Sequence, residues 1–171
     1  MLYQYPLETL ARRRAAASQL DFARAARRVL VDSDDAVFEA HDHGLAILTA
    51  NEDALAGPVQ VLREMYGDFI QVRRPKVRMI PGDPPHEPIM HARVSTRAEF
   101  GGRVRAELKA RGARILEHCV RGRTEVIRAE GPLQSLLGLP ARLDALTDGT
   151  AVHAIRLVRY APIDAPPRPA A

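Results

Sequence analysis

Residues 87–94, Glu-Pro-Ile-Met-His-Ala-Arg-Val, open the stretch that decides the fold of this chain. Within it the apolar residues Met90, Ala92 and Val94 stand at every second position, and polar residues fill the positions between them. Alternation with a period of two is typical of a strand that buries one face and exposes the other. The pattern therefore predicts a half-buried strand over residues 88–96.

The segments that follow this strand alternate between helical and extended patterns. They predict a helix over 97–110, two strands within 113–130, a helix over 132–146 and a last strand over 150–160. The two middle strands are joined by Arg121-Gly122-Arg123, a short connection in which the glycine can adopt a positive φ. The resulting order is β-α-β-β-α-β, the order of a ferredoxin-like domain.

The first half of the chain predicts a related order with a different beginning. Its predicted elements are a long helix over 6–30, strands over 36–40 and 44–49, a helix over 52–66 and a strand over 68–73. Asp21 is well placed to cap the second part of the long helix. No regular strand is predicted before that helix, although residues 2–5 could supply a short one.

The composition is that of a globular protein with a basic bias. Of the 171 residues, 46% are hydrophobic and 27% are charged, which suits one ordinary domain or two small ones. No run approaches the ~20 apolar residues of a membrane span, and the N-terminus lacks the pattern of a signal peptide. These features predict a cytoplasmic protein without a membrane partner. The net charge of +4 permits an RNA or an acidic partner.

Three segments of the second half resemble one protein family. Residues 87–90 read Glu-Pro-Ile-Met, residues 126–133 read Val-Ile-Arg-Ala-Glu-Gly-Pro-Leu, and residues 146–151 read Leu-Thr-Asp-Gly-Thr-Ala. Together they resemble the C-terminal domain, called domain V, of elongation factor G and related translational GTPases. The resemblance extends over residues 87–160 and implies the same β-α-β-β-α-β fold.

The first half resembles domain III of elongation factor G, which is also ferredoxin-like. The resemblance rests on residues 62–67, Leu-Arg-Glu-Met-Tyr-Gly, and on Pro-Lys-Val at 75–77, where the full-length factors enter domain IV. Domain IV and the GTPase domain are not expected in this chain. We therefore expect an α+β protein with two ferredoxin-like domains in tandem. Its predicted parts are a domain III-like domain at 1–74, a linker at 75–86, a domain V-like domain at 87–161 and a disordered tail at 162–171.

The motifs of a GTPase are missing from the sequence. It contains no Gly-x-x-x-x-Gly-Lys-Ser/Thr loop, which holds the nucleotide phosphates and Mg²⁺ in translational GTPases. No Ser/His/Asp, Cys/His or paired-carboxylate grouping stands out either. We therefore predict a protein that is not an enzyme, does not bind GTP and has no cofactor or metal.

The resemblance implies a role in translation. It implies binding to the GTPase-associated region of the large ribosomal subunit, or to a translation factor. Aromatic residues make up only 5% of the chain, which argues against the reading of single-stranded bases by stacking. The candidate RNA- or ribosome-binding residues are basic: Arg73, Arg74, Lys76, Arg78, Arg93, Arg121, Arg123, Arg128 and Arg156.

An alternative interpretation makes the protein a repurposed ferredoxin-like module that binds other proteins or regulates them, with no ribosome contact. The departure of the second helix of the C-terminal half from the family, at Gly138-Leu139-Pro140, favours this alternative. Strand edges left without neighbouring domains predict a homodimer in either case.

Three smaller patterns carry weaker alternatives. Asp32 and Asp34 superficially match the nucleophile loop of haloacid dehalogenase-type phosphatases, but a polar loop explains them. His41 and His43 could hold a metal, but they stand where a hairpin turn is expected. The single cysteine, Cys119, is expected to be a packed residue and not a nucleophile.

Overall fold

Two antiparallel sheets with helices packed against them make up the protein. The computed structural model describes residues 2–163. The chain divides into two compact units, an N-terminal unit of Met1–Arg78 and a C-terminal unit of Met79–Ala171. Each unit has its own sheet and its own buried residues.

The N-terminal unit has the ferredoxin-like order of elements. Its strands lie in the order β2-β3-β1-β4, and β5 also pairs with β1. The elements are β1 (Leu7–Arg13), α1 (Gln19–Arg27), β2 (Ala36–His41), β3 (Gly44–Thr49), α2 (Ala56–Tyr66), β4 (Ile70–Val72) and β5 (Lys76–Val77), with short 3-10 helices at Leu2–Gln4, Asp53–Leu55 and Gly67–Phe69.

The beginning of this unit corrects the sequence prediction. The long helix predicted over 6–30 is wrong in its first half, where the chain forms β1. Leu7, Thr9 and Ala11 alternate on its buried side, and β1 pairs with β3 on one edge and with β4 and β5 on the other. The spacing of Leu7, Leu10 and Ala11 suits a helix as well as a strand. The strand forms because the neighbouring strands satisfy the backbone hydrogen-bonding groups on both edges of β1.

Helix α1 begins later than predicted and has a different cap. Ser18 is its N-cap, and its hydroxyl oxygen accepts a hydrogen bond from the backbone N–H of Asp21 at 3.2 Å. Asp21 therefore lies in the first turn and does not cap the helix. An acidic residue there still interacts favourably with the positive end of the helix dipole.

One apolar cluster holds the N-terminal unit together. Phe22 of α1 contacts the ring of Tyr66 in α2 edge-on, with the ring centroids 5.2 Å apart. Burial of a side chain of this size contributes about 1.5–3 kcal/mol relative to exposure. The buried members of the cluster are Ala11, Phe22, Ala23, Ala26, Leu30, Ala36, Phe38, Leu45, Ile47 and Leu62.

The C-terminal unit repeats the same plan, with the strands in the order β7-β8-β6-β9. Its elements are β6 (His86–Arg97), α3 (Ala98–Ala110), β7 (Arg114–Arg121), β8 (Thr124–Pro132), α4 (Leu133–Leu136), α5 (Leu139–Leu146) and β9 (Val152–Pro162). The predicted fold class, α+β with two ferredoxin-like domains in tandem, is confirmed. The N-terminal unit also has the regular first strand that the sequence did not predict.

The alternation at the start of the second half is confirmed in β6. Met90, Ala92 and Val94 are buried in the core of the C-terminal unit. Val104 and Leu108, one turn apart on α3, are buried as well. The polar residues between the buried positions of β6 therefore lie on the other face of the sheet.

The helix predicted over 132–146 is two short helices, α4 and α5. Pro140 lies in the first turn of α5, where a missing N–H leaves no helical bond unmade. In one continuous helix Pro140 would remove the bond to the carbonyl of Leu136, so the chain breaks before it. Arg111, the C-cap of α3, contacts the chain at this break, because its guanidinium donates to the carbonyls of Ser135 at 3.3 Å and Leu137 at 2.7 Å.

The segments expected as linker and tail contain pairing. Within 75–86, β5 pairs with β1, and the backbones of Ile80 and His86 exchange two hydrogen bonds of 2.9 Å. In the expected tail, Pro162 ends β9 and Ile163 donates its N–H to the carbonyl of Pro85 at 3.0 Å. The rest of the expected tail lies outside the described residues.

Candidate nucleic-acid interface

The face of the C-terminal sheet that carries the polar positions of β6 presents several arginines. Arg93 of β6 is directly opposite Arg128 of β8, and Arg156 of β9 is opposite His91. Directly paired residues lie on the same face of a sheet, as do residues two apart on one strand. Arg93, Arg128 and Arg156 therefore share one face, and all three are exposed.

The direct pairing of Arg93 with Arg128 places two positive charges side by side. Like charges in this position are unfavourable unless another group compensates them. Glu117 of β7 lies opposite Arg128 on its other side, and its carboxylate is 3.4 Å from the guanidinium. Within residues 2–163, Arg93 has no ion pair of its own.

A shallow pocket of about 230 Å³ lies on this face, where β6, β7 and β8 meet. Cys119 of β7 is exposed in it, so the expectation of a packed cysteine is wrong. The cysteine is exposed because β7 is an edge strand and this side of the strand is not covered. The pocket is lined by Arg93, Glu117, Cys119, Arg121, Val126 and Arg128.

The turn of the β7–β8 hairpin lies close to the start of α3. The carbonyl oxygen of Arg123 accepts a hydrogen bond from the N–H of Ala98 at 2.8 Å. Arg97 and Glu99 line an open depression beside the turn, and they pair with each other at 3.6 Å. Arg123 lines the same depression, and its side chain has no ion-pair partner within the described part of the chain.

The candidate residues of the N-terminal unit divide into two kinds. Arg73, Arg74 and Lys76 are exposed near the end of the unit. Arg78 is different, because its side chain is only 22% exposed and lies 3.9 Å from the carboxylate of Glu8. Its guanidinium also donates to the carbonyl of Tyr5 at 3.1 Å, so Arg78 ties the end of this unit to its beginning.

Sequence reasoning missed Glu117 as part of this surface. A signal was present in the hairpin, because a two-residue turn at 122–123 sets the register of the two strands. The structure pairs Arg121 with Thr124 and Glu117 with Arg128, with an irregularity between residues 115 and 117. Counting back from the turn would have placed Glu117 beside Arg128.

Two of the weaker alternatives involve residues that already have structural partners. Asp32 accepts a hydrogen bond from the N–H of Phe38 at 3.1 Å and pairs with Arg27 at 2.8 Å. His41 and His43 stack with their ring centroids 5.2 Å apart. Within residues 2–163, no group of three or more His, Cys, Asp or Glu side chains is arranged to hold a metal ion.

The second half of the chain matches a known family. Residues 85–170 match the family described as "Elongation factor G C-terminus". The chain belongs to this family. The match covers the whole ferredoxin-like C-terminal unit from β6 onward, and with it the arginine-bearing sheet face.

One curated relative agrees with this membership, and one solved structure shares the fold. A segment of 74 residues is 35% identical to elongation factor G of Amoebophilus asiaticus strain 5a2, and it covers 43% of this chain but 10% of that protein. A crystal structure of a protein from Thermus thermophilus has the same fold, with a TM-score of 0.66 and 16% identity over 92% of this chain and 40% of that one. The chain thus spans 10% of the length of the elongation factor G that it matches and 40% of the crystallised chain.

The helices of the chain are short. The longest, α3, has 13 residues, and among residues 2–163 no helix is both long enough and apolar enough to cross a membrane.

Proposed function

We propose that this protein is a non-catalytic, translation-factor-like protein that binds the large ribosomal subunit at its GTPase-associated region. The observation that carries the proposal is the arginine-bearing sheet face in a unit that belongs to the elongation factor G C-terminal family. Arginine is the side chain best suited to phosphate, because its planar guanidinium donates two parallel hydrogen bonds. In this proposal the protein acts in the cytoplasm and does not bind GTP.

The proposal gives the two units different parts. The N-terminal unit corresponds to domain III of elongation factor G and the C-terminal unit to domain V. Arg73, Arg74 and Lys76 form one candidate contact, and Arg93, Arg121, Arg123, Arg128 and Arg156 form the other. Arg78 is a weaker candidate than the rest, because its guanidinium already bonds within the unit.

Co-sedimentation of the purified protein with large ribosomal subunits, over a series of salt concentrations, tests the proposal. We expect the logarithm of the binding constant to fall linearly with the logarithm of the salt concentration, by about 0.7–0.9 for each phosphate contact. The double variant Arg121→Glu plus Arg123→Glu should lose binding. A matched control, Arg103→Glu plus Lys109→Glu, makes the same charge change on exposed positions of α3 and should bind as the unchanged protein does.

Absence of binding at low salt would overturn the proposal in favour of the protein-interaction module. Light scattering would then show whether the protein is a homodimer, in which a second copy could cover the edge strands β7 and β9. Equal loss of binding in both double variants would indicate attraction through net charge alone, with no defined contact.

A further inference from the structure

We infer that the pocket around Cys119 holds phosphate groups of an RNA backbone, and that Glu117 competes with the RNA for Arg128. This inference rests on the proposed function and assigns its RNA contact to one site. The site is defined by Arg93, Arg121, Arg128, Glu117 and Cys119, which line the pocket together.

The charge of the pocket calls for an anion. Three guanidinium groups meet one carboxylate there, which leaves a net charge of +2 at neutral pH. Only Arg128 is paired, with Glu117 at 3.4 Å, and both side chains of that pair are about half exposed. Arg93 and Arg121 have no ionic partner within residues 2–163. A phosphate group between Arg93 and Arg128 would also relieve the repulsion of two like charges paired across strands.

The shape and the lining of the pocket select phosphate groups over bases or a small organic ligand. None of the six lining residues is aromatic, so bases have no ring on which to stack. The volume of about 230 Å³ is below the range of roughly 300–1,000 Å³ typical of small-molecule sites. A surface that offers charge without stacking or enclosure binds a backbone through its phosphates.

Arg156 extends the site beyond a single phosphate. It lies on β9 opposite His91, one strand over from Arg93 and on the same face. Diagonal neighbours across strands lie about 7–8 Å apart, within reach of long side chains. One isolated anion in the pocket would leave Arg156 unused, whereas a chain of phosphates crossing the sheet would contact it next.

Substitution of Glu117 tests the inference sharply, because it is expected to tighten RNA binding, whereas a misfolded variant would bind more weakly. The carboxylate of Glu117 forms an ion pair with the guanidinium of Arg128 when no RNA is bound. Glu117→Gln removes this internal competitor and one negative charge, so the dissociation constant for RNA should fall about threefold. Arg93→Ala and Arg128→Ala should each raise it about five- to tenfold and reduce the salt slope by about 0.9.

Cys119 reports occupancy directly, because it is the only cysteine of the chain and is exposed in the pocket. The experiment measures the rate of alkylation of the full chain by iodoacetamide, a neutral reagent, with a short RNA duplex of mixed sequence at low salt. We expect saturating duplex to slow alkylation about tenfold. Inorganic phosphate, at the same phosphate concentration, should not protect, because it lacks the repeated contacts of a backbone.

The control variant is Arg103→Ala, an exposed arginine of α3 outside the pocket, which should keep the affinity and the protection of the unchanged protein. Duplex that binds by fluorescence anisotropy but leaves Cys119 fully reactive overturns the inference. Glu117→Gln that binds no tighter overturns it too, as does protection by inorganic phosphate equal to that by RNA.

Failure of this inference is distinguishable from failure of the proposed function. If the protein sediments with the large subunit while Arg93→Ala and Arg128→Ala bind normally, the function stands and its contact lies elsewhere. If RNA duplex protects Cys119 but ribosomes do not bind, the phosphate site stands and the ribosomal function fails. If the duplex neither binds nor protects, the inference is wrong.

Discussion

The two units share one topology, and their sheets meet solvent in different ways. In the N-terminal unit all six residues of β3 are buried, so this strand has no solvent-facing side. In the C-terminal unit β8 occupies the same place in the strand order but alternates between buried and exposed positions. The fold decides where a strand lies, and the residues at alternate positions decide whether its second face can serve as a binding surface.

The cores differ as well. Among its described residues, the N-terminal unit buries the polar side chains of Thr9 and Thr49 but no charged one. The C-terminal unit buries a carboxylate, Glu125, with only 2% of its side chain exposed, and Arg105 lies 2.9 Å away. The carboxylate lies against Gly101 of α3, where there is no side chain to displace it. A charge can remain buried there because the arginine compensates it.

The largest expected difference between the units concerns the glycines of their hairpins, Gly44 at the start of β3 and Gly122 in the β7–β8 turn. Gly44, in the β2–β3 hairpin, has φ +141°, and a Cβ there would lie 2.5 Å from the backbone oxygen of Ala11. Gly44→Ala should lower the free energy of unfolding by about 3 kcal/mol, since strain and a backbone clash add. Gly122, in the β7–β8 hairpin, has φ +61° and open space around it, so Gly122→Ala should cost only about 1 kcal/mol.

Chemical denaturation measures both effects, and amide hydrogen exchange assigns them to the units. Faster exchange in β3 with unchanged exchange in β8 is expected for Gly44→Ala. Equal destabilisation by the two substitutions would mean that the hairpins are not under different constraints.

The second comparison is between two adjacent glycines of α3. A Cβ at Gly101 would overlap the carboxylate of Glu125, whereas one at Gly102 meets nothing. Gly101→Ala should cost about 2 kcal/mol, because the buried carboxylate must leave its position near Arg105. Gly102→Ala should stabilise by about 0.5–1 kcal/mol, since alanine favours a helix. Thermal unfolding of both variants checks the opposite signs, and two effects of the same sign would contradict the buried position of Glu125.

The third comparison concerns two carboxyl groups with lowered pKa values. The hydrogen bond from Arg111, at 2.7 Å, is the main cause that lowers the pKa of Glu107 below 4.5, and Arg142 adds to it. The hydrogen bond with His43 lowers the pKa of Asp42 in the N-terminal unit, where the carboxyl group is almost fully exposed. Glu107 lies between helices of its unit, and Asp42 lies in an open turn.

A lowered pKa in the folded state stabilises the protein above the unfolded pKa, and this contribution is lost as the pH falls through the folded pKa. Glu107→Gln should therefore cost about 1–2 kcal/mol at pH 7, and the difference from the unchanged protein should shrink as the pH falls below about 4.5. Asp42→Asn should change stability far less at pH 7 and at pH 3, because solvent screens the exposed pair of Asp42 with His43. Urea denaturation at pH 7 and pH 3 measures this, and a cost of Glu107→Gln that is the same at both would contradict it.

The smallest expected effect separates the starts of two helices. Ser18 caps α1 through its hydroxyl oxygen, whereas Arg97, at the start of α3, makes no side-chain cap. Ser18→Ala should cost about 1 kcal/mol, and Arg97→Ala should cost much less. Differential scanning calorimetry gives both values. A larger loss for Arg97→Ala would show that its pairing with Glu99 matters more than capping does.

The sequence predicted most of the C-terminal unit, because β6 and β8 alternate between buried and less buried positions and the β7–β8 hairpin has a short glycine turn. It predicted Arg93 and Arg128 as candidates for the same reason. It could not show that Arg78 is bonded to Tyr5, because these residues are 73 positions apart in the chain. It could not show that Cys119 is exposed either, because exposure follows from the position of β7 at the edge of its sheet.

By itself, the sequence determined the β-α-β-β-α-β order of the second half, the membership in the elongation factor G C-terminal family and the excess of arginine. Local periodicity and turn chemistry carry the order of the elements, and both are properties of neighbouring residues. The membership rests on the residues that resemble the family and on the match over residues 85–170. The tertiary structure alone decided that residues 7–13 form a strand, that the chain breaks before Pro140, and that the guanidinium of Arg78 donates to the carbonyl of Tyr5. These outcomes depend on contacts between segments that are distant in the sequence. Where a segment could form a helix or a strand with similar local energy, its contacts with neighbouring segments decide which one forms.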